Sequence, residues 1–188
     1  QRTLDHTLGQ TVLEGSLLGL GGRSYPVGRS SESFQSPEER ALLVRRLVSA
    51  GVNYFDTTWL HEVRLLADSF RRANIKENTF VSLQYVDGMC DHDWRRKIRQ
   101  EIEKRLRIMN YTHAPLFLLG MGNEDTPYAE LTAALEKMKG FKEEGLIQNI
   151  GISCHRIDLF PLISRAIRET DLIDYITIRF NWKFRQAN

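Results

Sequence analysis

Three features are scarce in this chain: cysteine, long apolar runs and an excess of charge of one sign. Two cysteines among 188 residues are too few for a disulfide framework and are typical of a reducing compartment. No run approaches the roughly 18 apolar residues that cross a membrane, and the first residues lack the apolar segment of a secretory signal. Lysine and arginine number 26 against 24 acidic residues, which gives no electrostatic reason to expect nucleic acid as a partner. We therefore expect a cytoplasmic protein without a membrane span.

Short apolar segments alternate with longer amphipathic ones along the whole chain. This alternation predicts βαβ units and a parallel sheet. The predicted strands are Leu17–Gly22, which we expect to be buried, and Tyr54–Asp56, Thr79–Gln84, Pro115–Leu119, Gln148–Ser153 and Ile173–Asn181. The five intervening helices are predicted to start at Ser36, Val63, Asp93, Thr126 and Ile157. No linker or low-complexity segment interrupts the pattern, so residues 1–188 are predicted to form one domain.

The first helix has the clearest start signal. Ser36 is followed by Pro37 and, three residues on, by Glu39. A serine and a glutamate at this spacing form a capping box, and proline fits the first helical position. The predicted helix ends at Gly51.

Several segments resemble the aldo/keto reductases. Residues 51–57, Gly-Val-Asn-Tyr-Phe-Asp-Thr, are similar to one signature of that family, and residues 135–153 are similar to a second. Leu8–Thr11 and Leu18–Gly22 resemble its N-terminal hairpin and first strand. The phrases around Gly151–His155 and Arg179–Asn181 resemble the branch whose full-length members carry a ferredoxin-like tail.

The resemblance implies a (β/α)8 barrel with NADP(H) at the carboxyl ends of the strands. It also implies carbonyl reduction by a proton relay of aspartate, tyrosine, lysine and histidine. The chain supplies about six strands, so we expect a partial barrel with an N-terminal hairpin that lacks the last two βα units.

Most of the relay is missing at the matching positions. Asp56 matches the aspartate, but the tyrosine position falls near His61, the lysine position holds Gln84 and the histidine position holds Gly120. We expect Tyr54 to share the face of Asp56 only if the strand bulges, which makes it a poor substitute. Without lysine and tyrosine, both the charge that favours tyrosinate and the acid itself are lost, so reduction by the family mechanism is not expected.

The resemblance also implies where a cofactor would lie. It places Ser153, Cys154 (at the usual asparagine position) and Asn181 at the cofactor side of the strand ends. The segments that grip the adenosine phosphate in the family follow its seventh and eighth strands, which have no match in this sequence. We therefore expect no bound cofactor, with NADP(H) implied by the resemblance alone.

Two alternatives concern sulfur and imidazole groups. Cys90, His92, Cys154, His155 and His61 could form a metal site on the loops, but none shows C-x-x-C or H-x-x-x-H spacing, so no metal is predicted. Cys154 precedes a predicted helix, whose positive end would favour a nucleophilic thiolate. A small polar residue at the barrel rim is the favoured interpretation of that cysteine.

A six-stranded barrel would leave a seam between its first and last strands. We expect it to be covered by a second copy, another subunit, or the segments 23–35 and 182–188. The favoured hypothesis is a non-catalytic subunit that binds a partner through this seam and has room for a small-molecule ligand. The alternatives are a non-redox enzyme using Asp56 as acid or base, and an NADP-dependent reductase completed by a partner chain.

Overall fold

Six parallel strands form the centre of the molecule. The computed structural model describes residues 5–22, 36–75, 79–86, 93–121 and 126–178. The strands are β3 (Gly19–Leu20), β4 (Tyr54–Asp56), β5 (Phe80–Tyr85), β6 (Leu116–Met121), β7 (Ile150–Cys154) and β8 (Tyr175–Ile178), paired in that order. They curl into a half-barrel, which confirms the predicted partial barrel. An antiparallel hairpin of β1 (Asp5–Thr7) and β2 (Glu14–Ser16) precedes them.

Within the described ranges, five helices connect the strands, as predicted. They are α1 (Pro37–Ser49), α2 (Leu60–Ala73), α3 (Trp94–Met109), α4 (Tyr128–Glu143) and α5 (Phe160–Thr170), with a 3₁₀ turn at Ile157–Leu159 before α5. The capping box of α1 is present, because Ser36 Oγ accepts from Glu39 N and a Glu39 carboxylate oxygen accepts from Ser36 N. None of the helices in the described part of the chain is long and apolar enough to cross a membrane.

Strand alternation separates two environments. One face of each strand packs against the helices and builds the main core, with Phe55, Leu83, Phe117 and Ile152 among its members. Side chains of the other face point into the half-barrel, because successive residues of a strand point to opposite sides. The polar side chains of the site come from this inner face.

The hairpin closes the amino-terminal end of the half-barrel. Asn53 accepts from Ser16 N at 2.7 Å and donates to Glu14 O at 2.8 Å, which ties the hairpin to the start of β4. On the opposite side, Gln10 N donates to Asp174 O at 2.8 Å, just before β8. The hairpin thus contacts both sides of the curled sheet.

Two local expectations were wrong. Leu17 and Leu18 are 63% and 67% exposed, and the strand predicted to be buried is reduced to β3, whose Gly19 is itself exposed. The basic residues of α3, Arg105 among them, are expected from the apolar stripe of the helix to cover its solvated face, but Arg105 is 3% exposed and pairs with Glu101. It falls on the same helical stripe as Ile98 and Ile102, so position in the helix outweighs residue type there.

Candidate functional site

The carboxyl ends of four neighbouring strands surround a cavity of about 170 Å³. This is the end at which barrel proteins place their functional groups. The cavity is lined by Thr58, Trp59, Gln84, Val86, Gly120, Met121, Ser153 and His155. No lysine or arginine is among these residues.

Asp56 lies one strand layer below the cavity, in a hydrogen-bonded chain of polar side chains. Ser82 Oγ, which is in register with Asp56 on the neighbouring strand, donates to Asp56 Oδ1. Tyr54 donates its hydroxyl proton to Ser82 Oγ at 3.3 Å. Tyr54 therefore shares the face of Asp56 without any bulge. The expectation to the contrary was wrong, because residues two apart in a regular strand point to the same side.

The surroundings favour the neutral forms of the Asp56 carboxyl and the Tyr54 hydroxyl, which lie at the two ends of this series of hydrogen bonds. Burial raises the pKa of Asp56 above 3.8, and the charge of Glu62 adds to this, while the bond from Ser82 and the charge of His155 oppose it. Burial and the charge of Asp56 raise the pKa of Tyr54 well above 10.0. A tyrosine that must donate its proton during reduction is helped by the opposite shift.

The raised pKa of Asp56 has a consequence for stability. The folded protein binds the Asp56 proton more tightly than the unfolded chain, so this contribution is fully present below about pH 3.8 and is lost as pH rises through the folded pKa. Asp56→Asn keeps an acceptor for Ser82 and cannot ionise. We expect the variant to become progressively more stable than the parent protein from acid to neutral pH. Urea unfolding at a series of pH values tests this. A free energy of unfolding that rises more with pH in the parent protein than in the variant would contradict it.

The Gln84 side chain packs closely against Gly120 on the neighbouring strand. Gln84 is 6% exposed, and its side chain accepts from Thr58 Oγ1 at 3.4 Å. A Cβ atom at position 120 would lie 2.7 Å from Gln84 Nε2 and 3.0 Å from Tyr85 O. The glycine thus leaves the space that the Gln84 amide occupies, and a histidine at position 120 would displace that amide.

The loop after β4 is held by Glu62 and not by His61. Glu62 is 1% exposed, and its Oε2 accepts from Thr58 N at 2.7 Å and Trp59 N at 3.2 Å. These bonds explain why α2 begins at Leu60, three residues before the predicted start. His61 lies on the exposed side of the first turn of α2 and is not among the cavity-lining residues.

The predicted cofactor positions fall in different places. Ser153 lines the cavity, whereas Cys154 points the other way into the main core, where it is fully buried. Its Sγ donates to Arg156 O at 3.3 Å, and burial raises the pKa of the thiol, which does not favour the nucleophilic role considered from the sequence. Asn181 lies outside the described residues.

The metal hypothesis is tested in part. No group of three or more histidine, cysteine, aspartate or glutamate side chains is placed to hold a metal within the part of the chain that the structure describes. Cys90 and His92 lie outside it.

The sequence did not identify Ser82, Thr58 and Trp59 as site residues. Ser82 lies two residues before Gln84 and opposite Asp56, so the period of two along the strand was the available signal. Thr58 and Trp59 depend on the short loop that Glu62 fixes, and loop geometry of this kind has no comparable periodic signal.

Comparisons with known proteins agree with the architecture. A sequence model described as the aldo/keto reductase family matches residues 17–182. No curated protein matches the chain at a significant level. A protein from Pseudomonas aeruginosa described as an aldo-keto reductase has a similar structure, with a TM-score of 0.80 and 23% identity over 99% of this chain.

Two further solved structures share the fold. A thermostable aldo-keto reductase in complex with the inhibitor epalrestat has a TM-score of 0.76 and 23% identity over 97% of this chain. An aldo-keto reductase from Bacillus halodurans has a TM-score of 0.68 and 18% identity over 95% of it. The match spans 73% of the Pseudomonas protein, 65% of the inhibitor-bound one and 56% of the Bacillus one.

Proposed function

The chain belongs to the aldo/keto reductase family, and from this premise we propose that it binds a small ligand at the barrel mouth without performing NADPH-dependent carbonyl reduction. In this proposal it acts as a non-catalytic subunit or interaction partner in a larger assembly. The observation that carries the proposal is the contact of the neutral Gln84 amide with Gly120. These are the positions at which the resemblance implies lysine and histidine.

The proposal is supported by the groups that the described residues place at and below the cavity. The Gln84 amide carries no charge to favour tyrosinate, and Gly120 has no side chain to bind a substrate oxygen. The Tyr54 hydroxyl donates a hydrogen bond to Ser82 below the cavity, and the pKa of Tyr54 is raised. Loss of a positioned general acid typically costs a factor of about 10² to 10⁴ in rate.

The same residues retain the means to bind a ligand. The cavity has a polar side, formed by Thr58, Gln84 and Ser153, and an apolar side that includes Val86 and Met121. Small-molecule sites commonly combine a mainly apolar wall with a few convergent polar groups. Binding without turnover therefore requires no further group.

The partner part of the proposal rests on the two edge strands of the sheet in the described residues, β3 and β8. Leu17 and Leu18 beside β3 and Ile178 at the end of β8 are exposed large apolar residues. Exposed strand edges and apolar groups of this kind favour contact with another surface. Light scattering tests it, because the proposal expects a species larger than the monomer, and a stable monomer at all concentrations would contradict it.

A second candidate is non-redox acid–base chemistry by Asp56. It is favoured by the raised pKa of this carboxyl, since a group poised closer to neutral pH transfers protons more effectively. If a turnover is found, Asp56→Asn should abolish it while leaving ligand affinity near that of the parent protein.

Titration with NADPH tests the main proposal and separates it from a reductase that a partner chain completes. We expect no saturable binding up to millimolar concentration, measured by calorimetry on the chain alone and in the presence of any co-purifying partner. Saturable binding at micromolar concentration in either sample would contradict the proposal.

A further inference from the structure

We propose that β8 is a dimerisation edge, where a second copy of this chain adds its own β8 in antiparallel orientation, centred on Thr177. This pairing rests on the proposed role as an interaction partner, because it names both the surface and the partner for that role. The partner it names is an identical strand.

β8 has a free edge. Among the described residues its strand neighbour is β7 alone. Phe117 N donates to Asn149 O at 3.0 Å, so every second residue counted from Asn149 turns its backbone groups toward β6. The residues between them face β8, where the parallel register matches them with the backbone of residues 175 and 177. The N–H and C=O groups of Ile176 and Ile178 therefore point away from β7.

The described strand carries none of the features that protect a sheet edge. Its sequence, Tyr-Ile-Thr-Ile, contains no charged residue, proline or glycine. Ile178 is 38% exposed, and the other three residues are half-buried. Lysine, proline and bulges are the usual devices that keep an edge from pairing. Their absence from these four residues favours an edge that pairs.

A buried hydroxyl without a partner lies at the centre of this edge. Thr177 Oγ1 is buried and makes no hydrogen bond within the described part of the chain, although buried polar groups normally have a partner. Thr177 is in register with Ser153, which lines the cavity, so its side chain is on the inner face of the sheet. A strand centred on Thr177 brings Thr177 of the partner subunit directly opposite, with about 4.5 Å between the Cα atoms. One hydroxyl then donates to the other, after rotation of χ1 to a suitable staggered position.

The backbone groups set the same register. Centring on Thr177 pairs Ile176 with Ile178 of the partner subunit, and both residues turn their N–H and C=O groups to the open edge. Gln10 N already donates to Asp174 O at 2.8 Å, so the hairpin occupies the lower end of this edge and blocks a register shifted toward it. A two-fold contact requires one patch to complement itself. Residues 176–178 meet this requirement.

Charge permits two copies to approach. The nearest carboxylate, Asp174, is paired with Lys142 at 2.9 Å and accepts from Ile150 N at 2.8 Å. The strand itself is uncharged, so the pairing sets no like charges opposite each other. Four residues per copy bury less than the roughly 1,200–2,000 Å² of a standard interface, so we expect a dissociation constant on the order of 1–100 μM.

Sedimentation velocity of the full chain, from about 1 to about 500 μM, measures this equilibrium. We expect a reversible conversion of monomer to dimer. Ile178→Lys places a charge on the exposed edge and should weaken dimerisation by about tenfold or more. Leu17→Lys is the matched control, because it makes the same kind of change at an exposed residue beside β3, and it should leave the dimer unchanged.

Cysteine cross-linking tests the register. Thr177→Cys should form an intermolecular disulfide on mild oxidation, because the opposed Cα atoms fall at about the 4.4–6.8 Å that a disulfide spans. Ile176→Cys should not, since its two copies are offset along the paired strands beyond that separation. Both variants are made together with Cys90→Ser, and circular dichroism confirms that each one folds.

A monomer at every concentration would overturn the β8 pairing together with the partner role. A larger species that Ile178→Lys leaves intact, or a disulfide in Ile176→Cys in place of Thr177→Cys, would overturn the pairing and leave the partner role standing. NADPH titration tests the rest of the proposed function separately, because the described residues of β8 do not line the cavity.

Discussion

Glu62→Ala is expected to lower the free energy of unfolding by about 3 kcal/mol, because it removes a buried charged acceptor of two backbone amides. Glu62 Oε2 accepts from Thr58 N and Trp59 N, and neither amide has another hydrogen-bond partner among the described residues. Urea unfolding at neutral pH measures the loss. Because these two residues form the cavity rim, the variant should also bind ligand more weakly than the parent protein.

Glu62→Gln is the matched control for this prediction. It keeps an oxygen acceptor and nearly the same shape, so one of the two backbone bonds can be retained. We expect a loss of less than about half that of the alanine variant. A Glu62→Ala effect below about 1 kcal/mol would show that water replaces the carboxylate and that the loop does not depend on it.

Gly151→Ala is expected to destabilise the half-barrel by about 1–3 kcal/mol through overpacking. Gly151 is in register between Leu118 on β6 and Tyr175 on β8. An added Cβ would lie 2.2 Å from Leu118 Cδ2 and 3.1 Å from Tyr175 O, so both a fully buried side chain and a strand backbone must shift. Thermal and urea unfolding report the effect.

Gly140→Ala provides a control with the opposite sign. Gly140 lies within α4, and an added Cβ would have no atom within 4 Å. Alanine in a helix interior is favoured over glycine by roughly 0.5–1 kcal/mol, so this variant should gain stability. Equal effects of the two substitutions would contradict the packing of the inner face.

The architecture was predictable because its signals are periodic and local. The six strands and five helices follow from alternating apolar segments, and Ser36 and Glu39 fixed the start of α1 to the residue. Residues 17 and 18 show the limit of this approach. Two leucines before a glycine predicted a buried strand, but burial depends on which neighbours cover the sheet at that edge.

Only the site residues that lie on the strands were predictable from the sequence. Gln84, Gly120 and Ser153 lie at strand ends, and their positions followed from the family resemblance. The bond from Ser82 to Asp56 and the contact of Gln84 with Gly120 depend on register between strands far apart in sequence, which periodicity does not give. The contribution of Glu62 depends on the length of one short loop.

The most direct test of the central claim is NADPH consumption by the purified protein with a panel of aldehydes and ketones, beside Gln84→Lys. The account predicts no turnover above the protein-free rate in either sample. The lysine would restore a charge, but no tyrosine lines the cavity among the described residues to donate a proton there. NADPH-dependent reduction by the parent protein that is lost in Asp56→Asn would contradict it.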